Sequence, residues 1–130
     1  MLSCYDQKST KFWKALGCLP VVLIFEWERR AIIHNMLRAE AESYAALGDI
    51  ETADKLFQRL ITRFPDNVWG YIGWGDIYRY MKTDRILPDY NKAEEKYRLG
   101  LANYTTEIEV VNERLYDLEK KREKQNFLEQ

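Results

Sequence analysis

The amino-acid sequence predicts an all-α protein built from antiparallel pairs of helices. Apolar residues recur with helical spacing along most of the chain, and Val21–Phe25 is the only stretch that could be read as a strand. Gly48, Pro65 and Pro88 interrupt the periodic segments at intervals typical of helix lengths. Together these features indicate a chain of short helices joined by tight connections.

The helices can be placed in order from their apolar stripes and end signals. Gly48 marks the end of the first helix, and Thr106-x-x-Glu109 reads as a capping box at the start of the last one. Residues 1–25 are expected to be irregular or helical and to cap one end, and residues 26–130 to form a single helical domain. Helices are predicted at about 26–47, 50–64, 68–81, 90–104 and 106–122.

Composition and charge narrow the classes of partner. The 130 residues carry a formal net charge of −1, so there is no overall basic field to attract nucleic acid or an acidic membrane. The longest apolar run, Leu19–Phe25, falls well short of the roughly 20 residues of a membrane helix. Charged residues follow this run in place of a signal cleavage site. We therefore expect a cytoplasmic protein that binds neither nucleic acid nor membrane.

The residues that usually perform chemistry are sparse. Cys4 and Cys18 have no matching histidine pair, so a zinc site is not expected. His34 is the only histidine, and no Ser or Cys near it suggests a nucleophile. The Gly-x-x-Gly-x-Gly stretch of the third helix has the wrong order for a dinucleotide fingerprint. The sequence predicts a protein that is not an enzyme, with no metal and no cofactor.

The chain contains an internal repeat. Tyr44 and Tyr78 are 34 residues apart, whereas the later matches are separated by 40, so the second copy has six extra residues before Pro88. The pairs separated by 40 residues are Gly48-Asp49-Ile50 with Pro88-Asp89-Tyr90, Ala53 with Ala93, and Phe57 with Tyr97.

Over residues 34–107 this pattern closely resembles the tetratricopeptide repeat family. Glu40 departs from the family's expected Leu, Thr105 stands where a terminal Pro is expected, and the turn inside the second unit is lengthened. The resemblance implies a tetratricopeptide-like α-α superhelix of two repeats with a C-terminal capping helix. The residues of the first unit that carry it are Leu37, Ala41, Tyr44, Gly48, Ala53, Phe57 and Pro65.

The resemblance also implies a function. It predicts a protein- or peptide-binding module, an adaptor or scaffold, whose concave groove is lined by the first helix of each unit. The alternative is a structural subunit that self-associates into a homo-oligomer through Leu19–Phe25 or through the aromatic groove. Helical spacing places these residues in the groove: Asn35, Arg38, Glu42, Trp69, Ile72, Gly73, Asp76, Arg79, Tyr80, Asn112 and Tyr116.

The groove positions argue against one well-known ligand of the family, the C-terminal carboxylate of heat-shock chaperones. That mode uses Lys and Asn, and the matching positions here are Arg38, Glu42, Gly73 and Asp76, of which only Arg38 suits a carboxylate. The acidic pair favours either a ligand with Lys or Arg, or ion pairs with Arg38 and Arg79 inside the groove.

Two interpretations stay open for the aromatic and glycine positions of the third helix. Trp69 and Tyr80 could anchor a partner, or they could pack against the capping helix. Gly73 could let a ligand backbone approach closely, or it could relieve crowding against the capping helix.

Overall fold

The computed structural model describes residues 18–80, 88–103 and 106–129. The described residues form helices without strands, which confirms the all-α prediction. By its internal contacts, the chain divides into two compact units, residues 1–35 and 36–130. The helices are α1 (Cys18–Ala46), α2 (Ile50–Arg63), α3 (Val68–Tyr80), α4 (Tyr90–Ala102) and α5 (Ile108–Leu128).

Helix α1 begins earlier than the sequence predicted. It includes the run Leu19–Phe25, so Val21–Phe25, the only candidate for a strand, is helical. The division between the compact units falls inside this helix, beyond the predicted boundary after residue 25. The proposed N-terminal cap before Cys18 lies outside the described residues, as do Thr105 and most of the predicted six-residue insertion.

The turn between α1 and α2 follows from Gly48. Its φ of +88° is left-handed, a conformation that costs glycine little because it lacks Cβ. The Gly48 amide donates to the Ala45 carbonyl at 2.9 Å, and the Asp49 amide donates to the Tyr44 carbonyl at 3.0 Å. This is the hydrogen-bond pattern of a Schellman motif, which satisfies carbonyls left over at the end of a helix.

The second unit repeats this junction despite its extra residues. The Asp89 amide donates to the Tyr78 carbonyl at 2.9 Å. This hydrogen bond is equivalent to the one from the Asp49 amide to the Tyr44 carbonyl. Both aspartates then cap a helix: Asp49 accepts from the Thr52 amide, and Asp89 accepts from two amides in the first turn of α4. The sequence repeat therefore corresponds to a structural repeat at the start of each second helix.

Small residues bring the helices of residues 36–130 close together. Ala53 and Ala93 are completely buried at equivalent positions of α2 and α4. A Cβ added at Gly75 would lie 2.2 Å from Cε1 of Tyr97, so only glycine permits this approach of α3 to α4. The largest fully buried side chains of this unit are Tyr71, Tyr97, Phe57, Leu60, Ile72, Leu118, Val68 and Val111.

Helix α5 differs from its prediction at both ends. It begins at Ile108, after Glu107 with a left-handed φ of +60°, and no side chain caps it. The predicted capping box of Thr106 and Glu109 was therefore wrong. The helix continues to Leu128, past the predicted end near residue 122, and Val111 and Leu118 are buried on its inner side.

Candidate partner-binding face

One side of α3 is committed to the core. The Trp74 ring stacks on Phe57 of α2 with centroids 6.2 Å apart and planes within 9°. Asp54 of α2 accepts hydrogen bonds from Trp74 Nε1 and from the Tyr78 hydroxyl, each at 2.6 Å. Lys96 of α4 lies 4.2 Å above the Trp74 ring. The polar edges of both rings are satisfied, so burying them leaves no unpaired donor.

A reciprocal pair of charges links α3 to α5. Arg114 Nε lies 3.6 Å from Asp76 Oδ1, and Arg79 Nη2 lies 3.4 Å from Asp117 Oδ2. Each helix contributes one acid and one base, spaced by three residues and therefore on one helical face. The first helix of the second repeat and the capping helix thus match in charge as well as in packing.

A third ion pair covers Gly73. Arg38 Nε and Glu42 Oε1 of α1 are 3.4 Å apart. A Cβ at Gly73 would lie 3.2 Å from Arg38 Cδ, 3.2 Å from Glu42 Oε1 and 3.1 Å from Phe57. Crowding therefore explains this glycine, but the neighbours are α1 and α2 and not the capping helix. Because Gly73 is buried beneath the ion pair, the interpretation that a ligand backbone approaches it is withdrawn.

Asp76 is the electrostatic centre of this face. Its carboxylate accepts a hydrogen bond from the Tyr97 hydroxyl of α4. Burial raises the pKa of Asp76 above its ordinary 3.8, although the hydrogen bond from Tyr97 and the charges of Arg114, Arg79 and Arg38 act to lower it. Burial, with the hydrogen bond to Asp76, also raises the pKa of Tyr97, which keeps its hydroxyl protonated as a donor.

The aromatic rings at this face are partly accessible. Tyr80 is 53% exposed and lies between two cations, with Arg79 4.8 Å and Lys121 5.1 Å from its ring centroid. Tyr116 on α5 is exposed, and Trp69 at the start of α3 is about one-third exposed. Tyr80 therefore contacts the capping helix through Lys121 and keeps half of its surface free, which combines the two predicted interpretations.

Not every predicted groove residue is at the surface. Ile72 is 1% exposed and the Arg79 side chain is 3% exposed, so neither offers a partner an accessible contact. Both are buried because α3 is covered by neighbouring helices on nearly every side. Asn112 is exposed on α5. Asn35 is also exposed, but it belongs to the other compact unit.

Arg114 and Asp117 were missed at the sequence level. The signal was present, because Asp76-x-x-Arg79 and Arg114-x-x-Asp117 have opposite order. Two parallel helices in register pair such motifs acid to base. We define the first-helix face as the surface of the first helices of each repeat and of the cap that contains Arg38, Glu42, Trp69, Asp76, Tyr80, Arg114, Tyr116 and Asp117.

The described residues contain neither a cluster that could bind a metal nor a helix that could span a membrane. Within residues 18–80, 88–103 and 106–129, no three His, Cys, Asp or Glu side chains are grouped so that they could hold a metal ion. In the same part of the chain, each helix is too short or too polar to cross a bilayer. His34 is buried, with Nδ1 3.5 Å from Asn35 Oδ1.

Comparison with known families gives one match. The model of the tetratricopeptide repeat family matches residues 40–67. Residues 40–67 are therefore similar to a tetratricopeptide repeat. The match covers the end of α1, all of α2 and the turn that follows, which is most of the first unit. No curated protein and no solved structure matches the chain.

Helices α3 and α4 repeat the junction and packing of α1 and α2. Asp89 and Ala93 have the same roles as Asp49 and Ala53, and Tyr97 is buried like Phe57. Tetratricopeptide repeats generally serve protein interaction, and the first helices of the units supply the surface described here.

Proposed function

We propose that this chain is a binding module, an adaptor or scaffold, that recognises a protein segment carrying Lys or Arg on its first-helix face. The observation that carries the proposal is the unequal exposure of the charges there. The side chains of Glu42, Asp76 and Asp117 are 45%, 26% and 55% exposed. The side chains of Arg38, Arg79 and Arg114 are 31%, 3% and 31% exposed.

This difference in exposure decides the sign of the charge that a partner would meet at the surface. The three ion-paired acids and three ion-paired bases balance in charge, and the arginines lie deeper while the carboxylates of Glu42 and Asp117 lie outermost. Lys121, beside the Tyr80 ring, is an exposed cation that opposes these carboxylates. Exposed carboxylates attract a cationic ligand and repel a carboxylate. The face therefore favours Lys or Arg on the partner and disfavours an acidic C-terminus.

The exposed rings support the same conclusion. Tyr80 follows Asp76 by about one turn of α3, and Tyr116 is exposed on α5; both supply apolar area with a hydroxyl at the end, a composition found at binding hot spots. Their faces also attract a partner's guanidinium or ammonium group, as Lys121 and Lys120 already illustrate within the chain.

The test is capture of ligands by the immobilised chain. A library of random peptides should yield sequences enriched in Lys or Arg, and their dissociation constants are then measured by calorimetry. Replacing both outer carboxylates, Glu42→Gln with Asp117→Asn, is expected to weaken binding about tenfold, or 1.4 kcal/mol. Raising the salt concentration should weaken binding to the wild-type chain more than to this variant.

The matched control removes two exposed carboxylates elsewhere. Glu51→Gln with Glu95→Gln changes the net charge equally, but the side chains lie on the second helices, where they are 82% and 62% exposed. Binding should stay within a factor of two of wild type by this control. Selected peptides without basic residues, or equal losses in both double variants, would contradict the proposal.

A second candidate function is a structural subunit that associates with copies of itself. It is favoured by a different surface, the apolar residues Val21, Phe25 and Ile32, which α1 exposes in the unit of residues 1–35. The two functions use separate residues and can be tested independently.

A further inference from the structure

One side of α3 is covered by α2, the second helix of the preceding repeat. Asp54 of α2 accepts hydrogen bonds from Trp74 Nε1 and from the Tyr78 hydroxyl, each at 2.6 Å. Phe57 of α2 stacks on the Trp74 ring, and Lys96 of α4 lies 4.2 Å above the same ring. This side of the second repeat is therefore matched to a helix that brings a carboxylate and an apolar side chain.

The equivalent side of the first repeat is accessible. Glu40 and Tyr44 occupy the positions of Trp74 and Tyr78, and both are exposed at the surface. Leu37 shares that side of α1, since it precedes them by three and seven residues. Beside Leu37 a pocket of about 350 Å³ lies between α1 and α2, a volume in the range of ligand pockets. The pocket is lined by Leu37, Leu56, Gln58, Arg59, Thr62 and Arg63.

The lining of this pocket combines apolar area with positive charge. Leu37 and Leu56 are partly buried, whereas Arg59 and Arg63 are exposed at successive turns of α2. None of the six lining residues, all of them within the described ranges, is acidic. Glu40 is an exposed acid one turn along α1 from Leu37, and it opposes the two arginines without balancing them. The pocket therefore attracts a carboxylate and repels a cation.

We propose that this pocket binds an acidic amphipathic helix of a partner protein. The helix places one apolar side chain between Leu37 and Leu56, and its carboxylates lie beside Arg59 and Arg63. A helix is the occupant because α2 covers the equivalent side of the second repeat. The pocket shares no residue with the first-helix face and takes a ligand of opposite charge. The inference therefore goes beyond the proposed function, and either one can fail without the other.

The second repeat also indicates one polar contact of the partner helix. Tyr78 donates to the Asp54 carboxylate, and Tyr44 is the equivalent tyrosine, 37% exposed. A carboxylate of the partner helix is expected to accept a hydrogen bond from the Tyr44 hydroxyl in the same way. Glu40 stands where Trp74 stacks on an aromatic ring, so the partner helix needs no aromatic residue at that point.

The test uses a designed peptide in place of the unidentified partner. The probe is an alanine-based peptide of about 18 residues, long enough to be helical in water, with a central Leu and a Glu one turn to either side. Calorimetry with the full chain should give a dissociation constant of about 0.1 mM. A peptide with Lys in place of Glu should bind at least about tenfold more weakly, and one with Ser in place of Leu about fivefold more weakly. Ligands of this affinity dissociate during washing, so they do not enter the selection on the immobilised chain.

Nuclear magnetic resonance of leucine methyl groups locates the bound peptide. The signals of Leu37 and Leu56 should shift as the peptide binds, because both side chains line the pocket. The signals of Leu118, buried on the inner side of α5, should stay in place.

Charge reversal tests the two arginines. The double variant Arg59→Glu with Arg63→Glu should bind the Lys peptide more tightly than the Glu peptide, a reversed preference that a loss of folding does not produce. The matched control is Lys120→Glu with Lys124→Glu, which makes the same charge change at two exposed positions of α5 with the same spacing. This control should keep the wild-type preference, and circular dichroism checks that both variants are helical.

The remaining outcomes overturn the proposal. Equal affinity for the Glu and Lys peptides, or no binding at about 2 mM peptide, contradicts an acidic ligand. Methyl shifts confined to other leucines contradict the site. Shifts of Leu37 and Leu56 that grow with the concentration of the chain alone assign the pocket to a second copy. Shifts of the same two leucines in peptide-free Phe12→Ser with Trp13→Ser assign it to residues 1–17.

Discussion

The two repeats carry the same motif, yet the second buries side chains that the first exposes. Tyr44 is 37% exposed, whereas Tyr78 at the equivalent position is 6% exposed. Glu40 is exposed, whereas Trp74 at its equivalent stacks on Phe57. The covering residues come from α2, which belongs to the preceding repeat. The positions of Trp74 and Tyr78 are therefore buried because α2, a helix of the previous repeat, covers them.

This comparison corrects one expectation and explains a departure from the family. Tyr44 is one of the residues that carry the resemblance, which leads us to expect a ring packed between helices, but the ring stays partly at the surface. Glu40 replaces an expected Leu at a position that is exposed in the first repeat, where a carboxylate costs little. The sequence thus departs from the family pattern at an exposed position and follows it at the equivalent buried position, Trp74.

The largest expected effect is at Trp74. Trp74→Ala removes a 4% exposed ring that stacks on Phe57 and donates to Asp54. We expect a loss of about 3–5 kcal/mol in the free energy of unfolding, measured by urea titration. Glu40→Ala at the equivalent position should change it by less than about 0.5 kcal/mol. Similar losses in the two variants would contradict the comparison.

A smaller loss of stability is expected at the alanines that are buried in both repeats. Ala53→Leu and Ala93→Leu each insert three carbons at a completely buried helix crossing. Overpacking should cost on the order of 1–3 kcal/mol in both. Thermal melts followed by circular dichroism measure this, and an unchanged melt for either variant would mean that its alanine is not at a close contact.

Tyr44 and Tyr78, at equivalent positions of the two repeats, are compared by removing a single hydroxyl from each. Tyr78→Phe removes a donor to the Asp54 carboxylate and should cost about 1.5 kcal/mol, because hydrogen bonds to charged groups are stronger than neutral ones. Tyr44→Phe removes a hydroxyl from a partly exposed ring and should cost less than about 0.5 kcal/mol. Urea titration of both variants measures the two losses in unfolding free energy. Equal losses would contradict the comparison between the repeats.

The smallest effect is a dependence on pH at Asp76. Its pKa is raised in the folded chain, so the fold binds this proton more tightly than the unfolded chain does. The stabilisation by this proton is complete below the unfolded pKa and is lost as pH rises through the folded pKa. The unfolding free energy of wild type minus that of Asp76→Asn should therefore fall as pH rises through the acid range. A rise over this range would mean that the arginines outweigh burial.

The fold was largely predictable from the sequence, because helix ends and repeat spacing are local signals. Gly48, Asp49 and Asp89 fix their helix ends through bonds within a few residues. The start of α1 was missed because Leu19–Phe25 is apolar on all sides and has no helical period to detect. The absent capping box at Thr106 reflects the left-handed backbone of Glu107, which residue type does not signal.

The candidate face was less predictable. Helical spacing predicts that Arg38, Glu42 and Asp76 share one surface; in the structure Arg38 pairs with Glu42, and Asp76 pairs with Arg114. Ile72 and Arg79 share the same helical phase but are buried, since burial depends on how closely α1 and α5 approach α3. The distances between these helices depend on tertiary packing, which helical periodicity in the sequence does not predict.

The most direct test concerns the division of α3 between core and partner face. Urea unfolding is compared for Trp74→Ala and for the double variant Trp69→Ala with Tyr80→Ala, beside calorimetry with the selected peptides. The double variant should lose more than about 2 kcal/mol of binding free energy and stay helical, with less than about 1 kcal/mol lost in stability. Trp74→Ala should lose about 3–5 kcal/mol of stability. If the double variant unfolds as readily as Trp74→Ala, Trp69 and Tyr80 belong to the core and the partner face proposed here is wrong.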